Sequence, residues 1–231
     1  MILSSTQFLM SSFLRKILVL LPVVLLGIFF FYDHYETYKH VRQSRLIFLL
    51  ITFLVFYGLI FLEVSFRNQN TFFAIATQSS FYVYIFMVLT LTGYFILFRE
   101  VSAHDWWHTM MVRIDKKDHV NFHLFKIFHI YKLVSTQIIG NFFMLFPLGI
   151  YLPLLYKRCS NIFLVFLISM LTSALIETLQ LVTTVRSADV DDVFLNTLGA
   201  CAGFIFFKGI IYFFRVISSQ NNVSLTLNKV A

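Results

Sequence analysis

The sequence predicts an all-α fold: a polytopic transmembrane helical bundle of about six spans. Three observations carry that prediction. Hydrophobic residues fill 59% of the 231 positions and charged residues only 13%, at a mean hydropathy of +0.81, whereas a soluble domain is about a quarter charged. Six apolar runs approach the roughly 20 residues that cross a bilayer. No run alternates with period two over about ten residues, which leaves helices as the way to satisfy backbone groups in hydrocarbon.

The first span is read at 17–32. It follows Arg15-Lys16 as a secretory signal would, yet Phe29-Phe30-Phe31-Tyr32 offers no small-residue cleavage site, so the segment is expected to be retained. A second span falls at 46–62, with Glu63 at its border as a snorkelling end residue, and a third at 81–98. The connection 99–137 holds five of the seven histidines, and its NFHLFKIFHIYKL stretch sets aromatics beside Lys126 and Lys132. That mixture suits a segment lying at headgroup depth. Spans follow at 138–156, 162–182 and 193–217, and the tight turn Lys157-Arg158-Cys159-Ser160 makes the fourth and fifth an antiparallel hairpin. The domain reading is therefore an added transmembrane hairpin at 1–70 and a membrane domain at 81–217. A polar tail without packing pattern at 218–231 is expected to be disordered.

Several function classes drop out. The net charge of +7 concerns loops and anionic headgroups, since no basic block or nucleic-acid motif accompanies it. Two cysteines, Cys159 and Cys201, form no disulfide framework. Gly-x-Ser-x-Gly, P-loop, Gly-x-Gly-x-x-Gly and Cys-x-x-Cys patterns are absent. His104 and His108 have the i, i+4 spacing of a helical metal site but lack a glutamate and a third ligand, so neither metal nor cofactor is expected.

The chemistry-bearing residues concentrate between Glu177 and Gly203, in ETLQLVTTVRSADVDDVFLNTLGACAG. Polar groups in or beside hydrocarbon are costly and mark function by default. Topology brings the end of the fifth span, the start of the sixth and the start of the fourth to one side of the bilayer. Glu177 and Gln180 share a helix face there, Asp192, Asn196, Gly199 and Gly203 recur at helical spacing, and Asn141 opens the fourth span. Glu177 at about 9 Å depth suits acid–base work, and the planar fork of Arg186 suits a phosphate or carboxylate. Asp189 and Asp192 would orient that arginine or offer oxygen ligands to a cation. Asn141, Gln180 and Asn196 are the candidate substrate-binding residues. The plainer reading makes the aspartates helix caps, Asp191 a bystander, and Gly199-xxx-Gly203 a packing face.

In these residues the chain resembles the VanZ-like family. Asn121 to Ile127 (NFHLFKI) is similar to the family's Asn-Leu-x-Pro-Phe-Lys stretch, with Leu124 where proline is usual. Gly140, Asn141, Leu145, Phe146, Pro147 and Gly149 match its Gly-Asn-x-x-x-Phe-x-Pro-x-Gly segment. Arg186-x-x-Asp189-x-x-Asp192-x-x-x-Asn196-x-x-Gly199 matches its most distinctive string. The resemblance covers residues 81–217 and implies a multi-pass protein of a bacterial inner membrane, in cell-envelope biology. The family takes its name from a protein associated with teicoplanin resistance, so a contribution to glycopeptide resistance through the polar pocket is implied. Two mechanisms fit these residues. One is binding of membrane lipids or a lipid-linked envelope precursor. The other is an intramembrane enzyme that modifies such a lipid or lipid-linked glycan, with Glu177, Arg186, Asp189 and Asp192 catalytic.

Overall fold

The computed structural model describes residues 12–34, 43–66, 72–94, 106–116, 120–121, 135–181 and 187–227. The helices run in the order α1 (Ser12–Asp33), α2 (Gln43–Phe66), α3 (Phe72–Leu91), α4 (Trp106–Lys116), α5 (Thr136–Met144), α6 (Phe146–Leu155), α7 (Ile162–Gln180) and α8 (Val190–Leu227). Two-residue strands, β1 (Val120–Asn121) and β2 (Ala188–Asp189), pair with each other. Among the described residues, five stretches are long and apolar enough to cross a membrane: α1, α3, α5 with α6, α7, and Val190–Ser218 of α8. Leu50–Phe66 of α2 is apolar and shorter. The molecule is thus the expected all-α membrane bundle of about six spans.

Several boundaries differ from expectation, each for a local reason. The third span starts at Phe72 instead of 81 and stops at Leu91 instead of 98. Gly93 sits just past its end at φ 76°, the left-handed conformation that closes a helix. The expected span 138–156 is two helices broken at Leu145. Pro147 in the first turn of α6 lacks an N–H and its ring crowds the carbonyl four residues back, which favours a break at this point. Ser135 starts α5 by accepting the Ile138 N–H at 3.4 Å, and Asn161 starts α7 by accepting the Phe163 N–H at 2.9 Å. At the other end α8 continues to Leu227, so most of the tail read as disordered is helical. Once a long helix is nucleated, each added residue gains a hydrogen bond for little further entropy.

The chain forms two compact units, residues 1–120 with 178–188, and residues 121–177 with 189–231. In the first, α1 packs on α2 and α3 through Val19, Val23, Phe30, Phe53, Val64 and Phe86. Phe53 lies against Phe31 and Phe86, with ring centroids 5.0 and 6.1 Å apart. Polar side chains join the same helices. Arg15, 3% exposed, donates to the Val64 carbonyl. Glu63 Oε2 accepts from Gln78 Nε2 at 2.8 Å and from the Tyr82 hydroxyl. Glu63 is therefore an interhelical acceptor and not a snorkelling end residue. It escaped detection because Gln78 belongs to the part of α3 that precedes the expected start at 81.

In the second unit α8 packs on α5 and α6 at backbone distance. A Cβ at Gly199 would overlap the Phe142 carbonyl oxygen, one at Gly203 the Phe146 carbonyl oxygen, and one at Gly149 the Ala200 carbonyl oxygen. The Gly199-xxx-Gly203 packing face is real, and it works because lipid offers helices no hydrophobic drive and close approach must supply the attraction.

Candidate functional site

The polar cluster is built around the start of α8, all within the second unit. Asp189 is its N-cap: Oδ1 accepts the Asp191 N–H at 2.9 Å, satisfying an amide that has no intrahelical partner. The same carboxylate accepts from Asn121 Nδ2, at 2.9 and 3.0 Å to its two oxygens. The Asp189 backbone N–H in turn donates to Glu177 Oε2 at 3.0 Å, which ties the C-terminal part of α7 to the entry of α8. In the first turn of α8, Asp192 Oδ1 accepts from Asn141 Nδ2 of α5. Three helices and the β1 asparagine thus converge on one set of carboxylates, which sits at the positive end of the α8 dipole.

A second layer lies about 9 Å below the start of α8. Asn196 is 0% exposed and donates from Nδ2 to Ser173 Oγ at 2.8 Å. Its Oδ1 has no hydrogen-bond partner, the one buried acceptor in that condition among the described residues. Ser169, Ser173 and Glu177 recur every four residues on α7, and all three are buried. They form a polar stripe down the helix. Ser169 spends its hydroxyl on the Val165 carbonyl at 2.8 Å. An unpaired buried carbonyl forfeits about 1–3 kcal/mol, so the position at Asn196 Oδ1 favours any donor that reaches it.

Of the expected site residues, Glu177, Asp189, Asp192, Asn141 and Asn196 are brought into this cluster. Arg186 lies outside the described residues. Gln180 is buried but belongs to the other unit, where its carbonyl faces Arg113. Asp191, read from the sequence as a bystander, is 0% exposed. Sequence reading passed over it because an acidic residue in a first helical turn is ordinarily a solvated capping residue. Asn121 and Ser173 were missed as well. Asn121 lies in the quoted NFHLFKI stretch, but only the β1–β2 pairing sets its amide on Asp189. His108 is exposed on α4, while His104, His119, His123 and His129 lie outside the described residues. No group of three or more His, Cys, Asp or Glu able to hold a metal occurs among the described residues. Cys159, in the Lys157–Ser160 turn, is buried, and burial pushes its thiol pKa up, away from nucleophilic use.

An open apolar groove of about 220 Å³ flanks the cluster, lined by Phe166 and Met170 of α7 with Val190, Val193, Phe194 and Leu198 of α8. It begins one residue beyond the Asp189 cap. An apolar groove thus runs alongside the polar cluster.

A family model described as VanZ/LLP1 matches residues 81–215, more than half of the chain, and spans every residue of the cluster. No curated protein and no solved structure matches.

Proposed function

The chain belongs to the VanZ-like family, and on that premise we propose that it serves in a bacterial inner membrane and lowers susceptibility to teicoplanin-type glycopeptides by binding an envelope amphiphile. The ligand is a membrane lipid or lipid-linked precursor whose hydroxyl or amide groups donate to the α7–α8 cluster. One observation carries the reading: the buried Asn196 Oδ1 stands without a donor among groups that otherwise pair closely. The carboxylates support it indirectly. Glu177, Asp189 and Asp192 each accept from an amide of the protein, so they position helix ends and hold the acceptor layer open below them.

The test is the double variant Asn196→Leu/Ser173→Ala, which removes the open acceptor together with the hydroxyl that Asn196 donates to. Replacing a buried polar pair by an apolar group is close to neutral for stability. The variant should reach wild-type abundance in the membrane yet lose protection, and native mass spectrometry should find a copurifying amphiphile only on the wild type. A variant that protects fully and keeps the same ligand would sink the proposal.

Glu177 supports a second reading, an intramembrane enzyme acting on such a lipid, because a carboxylate 6% exposed is placed for acid–base work. Glu177→Gln separates the two. Glutamine still accepts the Asp189 N–H but cannot titrate, so binding survives and catalysis does not. Lost protection at unchanged abundance, with a changed lipid profile, would favour the enzyme.

A further inference from the structure

Helix α4 has eleven residues, too few to span a bilayer. Trp107, Met111 and Ile114 recur at i, i+4 and i+7, which places them on one face, and all three are exposed, Trp107 at 69%. His108 and Asp115 flank that face and Lys116 ends the helix, all exposed. Away from the stripe Arg113 is 7% exposed. Its Nη1 donates to the Leu181 carbonyl at 3.1 Å and reaches the Gln180 carbonyl at 3.5 Å. Those carbonyls close a helix long and apolar enough to cross a membrane, and a cation there complements both the free acceptors and the helix dipole. The end of a spanning helix marks the bilayer surface. Arg113 therefore fastens α4 at that depth with an apolar stripe turned outward.

We infer that α4 is an interfacial helix whose partner is the phospholipid surface. Its Trp107–Met111–Ile114 face is seated roughly 5–10 Å into the boundary between headgroups and acyl chains, and His108, Asp115 and Lys116 lie among the headgroups. A tryptophan on the stripe suits this depth, since its ring is apolar and its N–H is polar. The surface is separate from the α7–α8 cluster and does not depend on what that cluster binds.

The test uses the full-length chain in nanodiscs. A Trp106→Phe variant leaves Trp107 as the only tryptophan, because the chain has two. Lipids brominated near the glycerol end of the acyl chain should quench Trp107 about twofold more strongly than lipids brominated near the terminal methyl, consistent with shallow burial. A second reporter, Ile114→Trp in a Trp106→Phe/Trp107→Phe background, should give the same depth order. Quenching by aqueous iodide without brominated-lipid quenching would put the stripe in water. Quenching by neither would put it under protein, and a stronger response to deep bromines would put it in the bilayer core. Each of these overturns the inference.

Discussion

Both units bury ionisable groups between helices, but they use them differently. In the first, Glu63 is paired by side chains from another helix, Gln78 and Tyr82, and Arg15 reaches a carbonyl of α2. These bonds tie finished helices together along their length. In the second, Asp189 and Glu177 spend themselves on backbone amides at the very start of α8, so they decide where that helix begins. Among the described residues, the one buried side-chain acceptor left open, Asn196 Oδ1, lies in the second unit. An apolar groove does not distinguish them, because the first unit also has one of about 250 Å³, lined in part by Leu26, Phe29 and Met87. Function is better sought where polar satisfaction is incomplete than where a groove exists.

The largest expected effect probes how each unit tolerates a side chain. Gly199→Leu drives atoms into the Phe142 carbonyl and should cost about 3 kcal/mol or more, beyond ordinary overpacking. The readout is loss of folded protein in thermal unfolding of the detergent-solubilised chain. Gly58→Ala in α2 meets nothing within 4 Å and should leave the melting temperature unchanged or raised. Equal losses from the two would break the contrast between a backbone-packed and a side-chain-packed unit.

Next comes Asp189→Ala, which removes the α8 cap and the Asn121 acceptor together, at about 2 kcal/mol. Hydrogen exchange should rise at the amides of the first α8 turn before it rises elsewhere. Uniform exchange across the chain would argue against a local capping role. Glu63→Gln keeps an acceptor oxygen for Gln78 and Tyr82 and should cost about 0.6 kcal/mol, the usual worth of an interhelical bond in a membrane. A loss as large as that of Asp189→Ala would mean the two clusters are equally critical for folding.

The smallest effect concerns Cys159. Its thiol pKa is raised by burial, so the protonated form persists to higher pH than in an unfolded chain. At about pH 8.5, where an ordinary thiol is half ionised, maleimide labelling of Cys159 in the folded protein should lag behind the detergent-denatured chain. The stability contributed by the buried neutral thiol is present below the ordinary thiol pKa and fades as pH rises through the raised one. Equal labelling rates would show that the turn does not shield the sulfur.

The amino-acid sequence determined by itself that this is a helical membrane protein. Hydrocarbon permits no unpaired backbone, and six apolar runs leave one regular way to pair it. It also marked Glu177, Asp189, Asp192, Asn141 and Asn196, because polar residues amid apolar runs stand out at any register. Gly199 and Gly203 were readable as a packing face from their spacing alone. Only the tertiary structure decided which partner each polar group takes. Asp189 rather than its neighbours caps α8, Asp191 is buried, Glu63 is shared by Gln78 and Tyr82, and Arg113 closes α7 from 67 residues away. Periodicity fixes which face of a helix a residue occupies, whereas a hydrogen bond depends on a second helix arriving within about 3 Å. That arrival depends on breaks such as Pro147 and on backbone contacts such as Gly199 against Phe142, which act between segments distant in the chain.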